Sequence, residues 1–357
     1  YNILFKINII NEQQLDDIKL NFIKNSGILF IKYVQILTST DEPYKFVSKY
    51  LFKKMKYFQD NNEYDDSTEL IKNIDYIDKK PINIGSVANI YKINYQNEIC
   101  VMKVLINNMK KKIKDSFHNF RKYKNIIYYI DRNFYNLFES IDSDEYYQII
   151  ITNIDLKQES FNLLKFKSIL KSYSLFIIPN IYSYSDEKII MTYEKGLKIN
   201  EIEEMYPEYF EKALFLILSF LYLSFYHKII HCDLHFSNFL FRIENNDIKM
   251  IILDFGMIKS LNDDESKLLL EILDCTSEEE IIEQISEIIQ YYLNKKYHVK
   301  KYTHLKNIFK FDQNKDIFKV YNLIQIIHLL KFIYKKKNNI FHKIYFFMSE
   351  NKLIDIL

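Results

Sequence analysis

The chain has no tryptophan, only 4 glycines and 4 prolines in 357 residues, and only 3 cysteines. Each shortage excludes something. With so few glycines and prolines there is no proline-rich or glycine-rich linker, and no internal repeat is visible. Cys100, Cys232 and Cys275 are too scattered for a disulfide framework or a zinc site, which points to a reducing, intracellular setting. Charge of one sign is lacking too. Lys+Arg 49 against Asp+Glu 47 gives a net charge of +2, so no global field argues for a nucleic-acid partner. No stretch reads as long enough for the about 20 apolar residues that cross a bilayer. The uncharged run 213–226 has fourteen residues and predicts a buried core helix.

Tyrosine (30), phenylalanine (28), isoleucine, asparagine and lysine are plentiful, a bias of coding composition rather than of function. An isolated Lys, Asn or Tyr therefore carries little weight. The runs Lys110-Lys111-Lys112 and Lys335-Lys336-Lys337 read as solvated helix faces, with a phosphate-rich or anionic membrane surface as the other reading.

The informative stretch is His231-Cys232-Asp233-Leu234-His235-Phe236-Ser237-Asn238, followed sixteen residues after its Asn by Asp254-Phe255-Gly256. It reads H-x-D-x-x-x-x-N, then D-F-G, the order used by phosphoryl-transfer enzymes of the protein-kinase type. That chemistry needs one carboxylate to orient or deprotonate the acceptor hydroxyl. An amide oxygen and a second carboxylate hold Mg²⁺ on the nucleotide phosphates. Asp233, Asn238 and Asp254 fill these places. Any one of them alone is an ordinary turn former; the spacing carries the reading. Residues 239–243 and 248–253 predict two apolar strands joined at Glu244-Asn245-Asn246-Asp247. His235 has two readings, a donor to the transferred phosphoryl group or a hydrogen-bonded loop residue. His231 is expected to pack under the D-F-G segment.

A kinase also needs a strand lysine on the phosphates and a helix glutamate to hold that lysine. Residues 83–93 read as strand, small-residue turn, strand, and Lys103 follows inside the apolar strand 99–105. Val101-Met102-Lys103 loosely matches the end of V-A-I-K. Glu159, on the predicted helix 156–166, is the chosen partner over the acidic cluster 142–145, which reads as an exposed turn. A lysine-rich helical insert fills the gap between Lys103 and Glu159. Gly85, Ser86 and Ala88 are small enough for backbone N–H groups to approach a phosphate, although the glycine pattern G-x-G-x-x-G is absent.

Several segments together resemble the UbiB/AarF (ABC1/ADCK-like) family of atypical kinases, as a divergent member. Residues 81–91 resemble its alanine-rich nucleotide loop, and Asp155-Leu156-Lys157-Gln158-Glu159-Ser160-Phe161-Asn162 its D-x-x-x-E-x-x-N segment. Residues 178–182 and Met191-Thr192-Tyr193-Glu194-Lys195-Gly196 resemble its following strand and hinge. Residues 231–238 and Leu253-Asp254-Phe255-Gly256-Met257 fit its catalytic loop and D-F-G-M. Upstream, residues 30–39 resemble a degenerate K-x-G-Q segment built on Lys32 and Gln35. Val34 stands where the family has glycine, Asn153 where it has the first acid of E-x-D, and Thr192 where it has a hinge glutamate.

The resemblance implies an α+β, bilobal protein-kinase-like fold. A helical N-terminal extension would cover residues 1–78, the N-lobe 79–192 and a helical C-lobe 193–357. It implies ATP or ADP with Mg²⁺ as cofactors. Lys103 would grip the phosphates and Glu159 would orient it. Gly85, Ser86, Ala88 and Tyr193 would line the nucleotide, and Asn238 and Asp254 would hold metal. The acceptor is left open between a protein, a small molecule and water, with peripheral membrane or lipid contact and a role near ubiquinone or lipid metabolism. A mitochondrion or other organelle is the implied location, with the cytoplasm as the alternative. Two other classes stay open: a small-molecule kinase of the aminoglycoside or choline type, and a pseudokinase interaction module. Residues 263–295 and 316–334 show helical apolar periodicity and predict packing helices.

Overall fold

The computed structural model describes residues 11–38, 47–56, 75–78, 80–130, 132, 135, 144–231, 234, 236–273, 280 and a few positions between 326 and 336. These residues fall into two compact units. The first comprises described residues up to 157 together with 182–191. The second comprises 158–181, 192–280 and the described positions after 314.

The first unit opens with three helices, α1 (Glu12–Asn25), α2 (Ile28–Leu37) and α3 (Lys49–Lys56). A capping box starts α1: Gln14 N–H donates to Asn11 Oδ1 and Asn11 N–H to Gln14 Oε1. Gly27 ends it at φ +92°, and a Cβ there would lie 2.7 Å from Ser116 Oγ. Ser116 itself donates to the Ser26 carbonyl, so only glycine satisfies both the backbone angle and the contact. Phe30 then packs edge-on against Phe120 of α4 (Met109–Ile130). The lysine-rich helical insert expected from the sequence is α4.

Between them lie β1 (Asn83–Ile84), β2 (Ala88–Tyr95) and β3 (Glu98–Leu105). With β5 (Ile181–Tyr184) and β6 (Lys188–Thr192) they form a five-stranded sheet ordered β1-β2-β3-β6-β5. Gln96 and Asn97 adopt φ 53° and 65°, the left-handed pair that a two-residue hairpin requires. Strand alternation sends Tyr91, Ile93, Cys100, Met102 and Val104 into one core with Ile190. Burial, and then the nearby Glu98 charge, push the Cys100 thiol up, which suits a packing role rather than a nucleophilic one. Helix α5 (Asp144–Asn153) follows α4. Asp144 is exposed, as expected, but it opens helix α5 instead of standing in a turn; its charge suits a helix N-terminus and pairs with Arg121 at 2.9 Å.

The second unit holds most of α6 (Leu156–Leu170), β4 (Phe176–Ile177), α7 (Ile199–Met205), α8 (Pro207–Tyr226), β7 (Ile229–His231), β8 (Phe239–Glu244), β9 (Asp247–Ile252), β10 (Ile258–Ser260) and α9 (Asp263–Leu273). The buried helix expected at 213–226 is α8, but it starts at Pro207 in the N1 position, so it has 20 residues. By length and composition it could cross a bilayer, which corrects the expectation that no stretch could. Yet 78% of its apolar window is buried inside the protein, as for a core helix. Phe220 at its centre meets Phe166, Phe176 and Phe239 with ring centroids 5.7, 6.3 and 6.0 Å away. Ile326, Leu329, Leu330 and Ile333 are buried at helical spacing, as the periodicity predicts. Most of the predicted helical stretch after residue 273 lies outside the described residues.

Candidate functional site

Strands β8 and β9 form an antiparallel hairpin whose register runs from Phe239↔Ile252 to Glu244↔Asp247. Asn245 and Asn246 make its turn at φ 50° and 58°, as the sequence predicts. At the open end the pairing continues by one step, because Leu253 N–H donates to the Asn238 carbonyl at 3.1 Å. Asn238 closes a single 3₁₀ turn (Phe236–Asn238) and is buried. Asp254 follows Leu253 directly. The two metal-ligand candidates, sixteen residues apart in sequence, are thus held at one end of one hairpin.

The backbone around Asp254 is gripped at three consecutive residues. His231 Nε2 lies 2.5 Å from the Asp254 carbonyl. A carbonyl has no proton to give, so Nε2 carries the hydrogen and donates. Asn162 Nδ2 donates to the Phe255 carbonyl at 2.9 Å, and Gly256 N–H donates to Asp254 Oδ1 at 2.8 Å. The His231 ring is buried against Phe255, Phe166 and Phe220, with centroids 5.9, 6.3 and 6.4 Å away. His231 thus packs under the D-F-G segment, the architectural place expected for it. Asp233 and His235 lie outside the described residues.

An amide oxygen and a carboxylate are hard oxygen donors, and they fit Mg²⁺, which keeps several waters and takes its remaining ligands from phosphates. No cluster of three or more His, Cys, Asp or Glu able to cage a metal occurs among the described residues. A metal shared with phosphate oxygens does not need one.

Glu159 sits in the first turn of α6, in the second unit, and is only 3% exposed. Asn162 lies three residues further along that helix, on a neighbouring face. Lys103 is in β3 of the first unit, half-buried and paired with Ile90. Cross-strand partners share a face, so Lys103, Ile90, Val101, Leu105 and Ala88 lie on the sheet face opposite the Tyr91 core. The turn from Gly85 to Ala88 joins β1 to β2. Gly85 N–H donates to the Ala88 carbonyl at 2.9 Å, and a Cβ on Gly85 would lie 2.7 Å from that same oxygen. Gly85 therefore serves the tightness of the turn with its own N–H, and Ser86 stands at its tip.

Tyr193 is half-buried on the segment leaving β6. That segment is pinned to β8: Leu197 and Phe241 exchange reciprocal N–H to carbonyl bonds at 2.8 Å. Gly196 must be glycine there, since a Cβ would lie 2.8 Å from Leu240 Cβ and 3.0 Å from the Phe241 oxygen. Asn162 and Glu194 stand in segments that the sequence singles out but without a role of their own there, and Arg242, which pairs with Glu194 at 2.6 Å, carries no sequence signal. The only signal for Asn162 was its three-residue spacing from Glu159. A separate cavity of about 720 Å³ in the first unit is lined by Lys110, Lys157, Tyr184, Ser185, Asp186 and Glu187, none of them a candidate residue.

Comparison with known proteins bears on this arrangement. The AarF domain-containing protein kinase 1 of Xenopus laevis is 32% identical over 117 residues, a match that spans 31% of this chain and 22% of that protein. Among solved structures, the Rv3197–erythromycin complex from Mycobacterium tuberculosis superposes with a TM-score of 0.49 at 12% identity, over 73% of each chain. The Rio2 kinase–ADP/Mg²⁺–phosphoaspartate complex from Chaetomium thermophilum superposes with a TM-score of 0.33 at 11% identity, over 91% of this chain and 98% of that one. The sequence profile of the ABC1 atypical kinase-like domain matches residues 56–286, well over half of the chain. That stretch takes in the small-residue turn, Lys103, Glu159, Asn238 and Asp254, and the chain has the α+β, kinase-like fold anticipated from its sequence. This protein belongs to the ABC1 atypical kinase-like family.

Proposed function

We propose that the chain binds an adenine nucleotide, ATP or ADP, with Mg²⁺ and works as an atypical kinase or ATPase. One observation carries the reading: Asn238 and Asp254 share one hairpin end, and the backbone of residues 254–256 is fixed by His231, Asn162 and the Asp254 carboxylate itself. Such fixing matters because ligands already held in place need not be reorganised when charge develops. The metal, when bound, would neutralise phosphate charge. Asp254 and Asn238 would hold it, Lys103 would bind phosphate oxygens, and Glu159 would hold the lysine. Asp233 would orient the attacking hydroxyl or water, with His235 as a second donor beside it. The Gly85–Ala88 turn would lie against the phosphates. The family likeness supports a role near ubiquinone or lipid-related metabolism in an intracellular compartment, a mitochondrion or another organelle.

The test is a titration of the full chain with nucleotide, with and without Mg²⁺. Asp254→Ala should weaken Mg²⁺-nucleotide binding at least about tenfold, roughly 1.4 kcal/mol. Asp233→Asn should leave binding intact and lower phosphate release by about 10²–10⁴. Binding without release, unchanged by Asp233→Asn, would identify a nucleotide-sensing module without turnover. No nucleotide binding at all would defeat the reading.

A further inference from the structure

The 3₁₀ turn Phe236–Asn238 lies inside the candidate catalytic loop and ends on a candidate metal ligand. A lone 3₁₀ turn has poor hydrogen-bond geometry and little stability of its own. What its side chains touch must therefore hold it in place. Asn238 is buried and Ser237 is exposed. Phe236 is half-buried, its ring against that of Phe332 in the same unit, with centroids 4.6 Å apart and planes at 58°. Such a tilted pair gains more than the apolar area it covers.

Phe332 is itself well supported. Residues 326, 329, 330, 332, 333 and 336 are helical, and Ile326, Leu329, Leu330 and Ile333 are at most 2% exposed. That buried stripe fixes how these helical positions are turned about their axis. It leaves Phe332 and Lys336, one turn apart, side by side on a neighbouring strip. The Lys336 amine lies 5.7 Å from the Phe332 ring centroid and donates to both carboxylate oxygens of Glu203 on α7, at 2.6 and 2.9 Å. With both side chains 35% exposed, this ion pair adds direction rather than much stability. Phe332 also lies beyond residues 56–286, the stretch matched by the ABC1 profile, so membership of the family does not account for its contact with Phe236.

The turn passes this support on to the metal-ligand candidates. The Asn238 carbonyl accepts from Leu253 N–H at 3.1 Å, and Asp254 is the next residue. A group that orients a metal ligand without touching the metal is commonly worth about 10–100-fold in metal affinity. We infer that Phe332 is a positioning residue for the metal site. Its ring holds Phe236, and the turn Phe236–Asn238 transmits that hold to Asn238 and to the Leu253 N–H beside Asp254. The inference rests on the proposed Mg²⁺-nucleotide binding and adds to it a support from the helical positions between 326 and 336.

The experiment takes two readings on the full chain as wild type, Phe332→Ala, Phe236→Ala and the double variant. The first is amide hydrogen exchange, residue by residue, without nucleotide. In Phe332→Ala the Leu253 amide should exchange at least about tenfold faster. The Met250 amide, which donates to the Leu175 carbonyl at 2.9 Å within the same hairpin, should stay within about twofold of wild type. Global destabilisation would speed both amides alike and would overturn the inference. The second reading is the Mg²⁺ concentration that half-saturates ADP binding. Each single variant should raise it about tenfold. The double variant should raise it no further, because both substitutions break the same contact. If an alanine variant does not fold, Phe332→Leu or Phe236→Leu takes its place. Leucine keeps the apolar volume and loses the ring pair, so a change of at least about threefold is expected in both readings. An unchanged Leu253 amide, an unchanged Mg²⁺ requirement, or effects that add in the double variant would each overturn the inference and leave nucleotide binding standing. Wild type that binds no Mg²⁺-nucleotide would overturn the nucleotide reading, and this inference with it, whatever the exchange shows.

Discussion

Gly196 and Gly85 are required for different reasons, although both stand in segments singled out from the sequence. At Gly85 the obstacle to a Cβ is the carbonyl of Ala88 in its own turn; at Gly196 it is the facing strand, through Leu240 and the Phe241 oxygen. Backbone atoms cannot swing aside as the end of a flexible side chain can. Gly196→Ala should therefore cost about 1–3 kcal/mol, the usual range for overpacking. Urea denaturation read by circular dichroism checks this, and an unchanged midpoint would show that the strand gives way freely. At this scale the legible residues were those whose partners are local or whose spacing is itself the signal, such as Asn238 and Asp254. Asn162 reaches Phe255 across 93 residues and Arg242 reaches Glu194 across 48. No spacing rule reports such partners, because the chain between them sets the distance only once it has folded.

Helix α8 shows the corresponding limit for elements. Its buried half was legible as an uncharged run, but its first two turns carry Glu208, Glu211 and Lys212 and read as ordinary surface. Pro207 marks the true start, since a proline at the first helical position loses no hydrogen bond. The other end has a consequence for pH. His227 follows α8 and its N–H donates to the Leu223 carbonyl. A helix C-terminus favours a cation, typically by 0.3–1 kcal/mol or about half a pH unit of stabilisation for an imidazolium. Here burial wins, and the His227 pKa is lowered from its ordinary 6.5. The unfolded chain then binds more protons than the folded chain between the depressed value and 6.5. Stability should accordingly rise with pH through that window and fall on acidification, levelling off below the folded pKa. His227→Gln should lose this slope, seen as a smaller difference between urea midpoints at pH 7.5 and pH 5 than in wild type. Equal slopes in the two proteins would show that the imidazole is solvated in both states.

At the scale of the whole molecule the chain passes between its two units at 157/158, 181/182 and 191/192. Residues 158–181 precede two strands of the first unit, yet they complete the core of the second. Sequence order alone would assign them to the N-lobe. Contacts explain the difference: Phe166 packs on Phe220 and Phe255, and β4 pairs in parallel with β9 through Phe176↔Met250 and Ile177↔Ile251. Removing one buried phenylalanine typically costs 3–5 kcal/mol, and an entire domain has only about 5–15 kcal/mol to lose. A fragment covering residues 192–357 lacks Phe166, Phe176 and the β4 hydrogen bonds together, so the loss should exceed what remains. That fragment should keep helical far-ultraviolet dichroism, lose its near-ultraviolet signal and bind a hydrophobic dye, the signature of collapse without fixed packing. A fragment covering 158–357 regains all three features and should melt cooperatively with a near-ultraviolet signal. If the shorter fragment melted as cooperatively as the longer, the aromatic cluster around Phe220 would not depend on α6 and β4, and the fixed backbone at Asp254 would have to be held by the later elements alone.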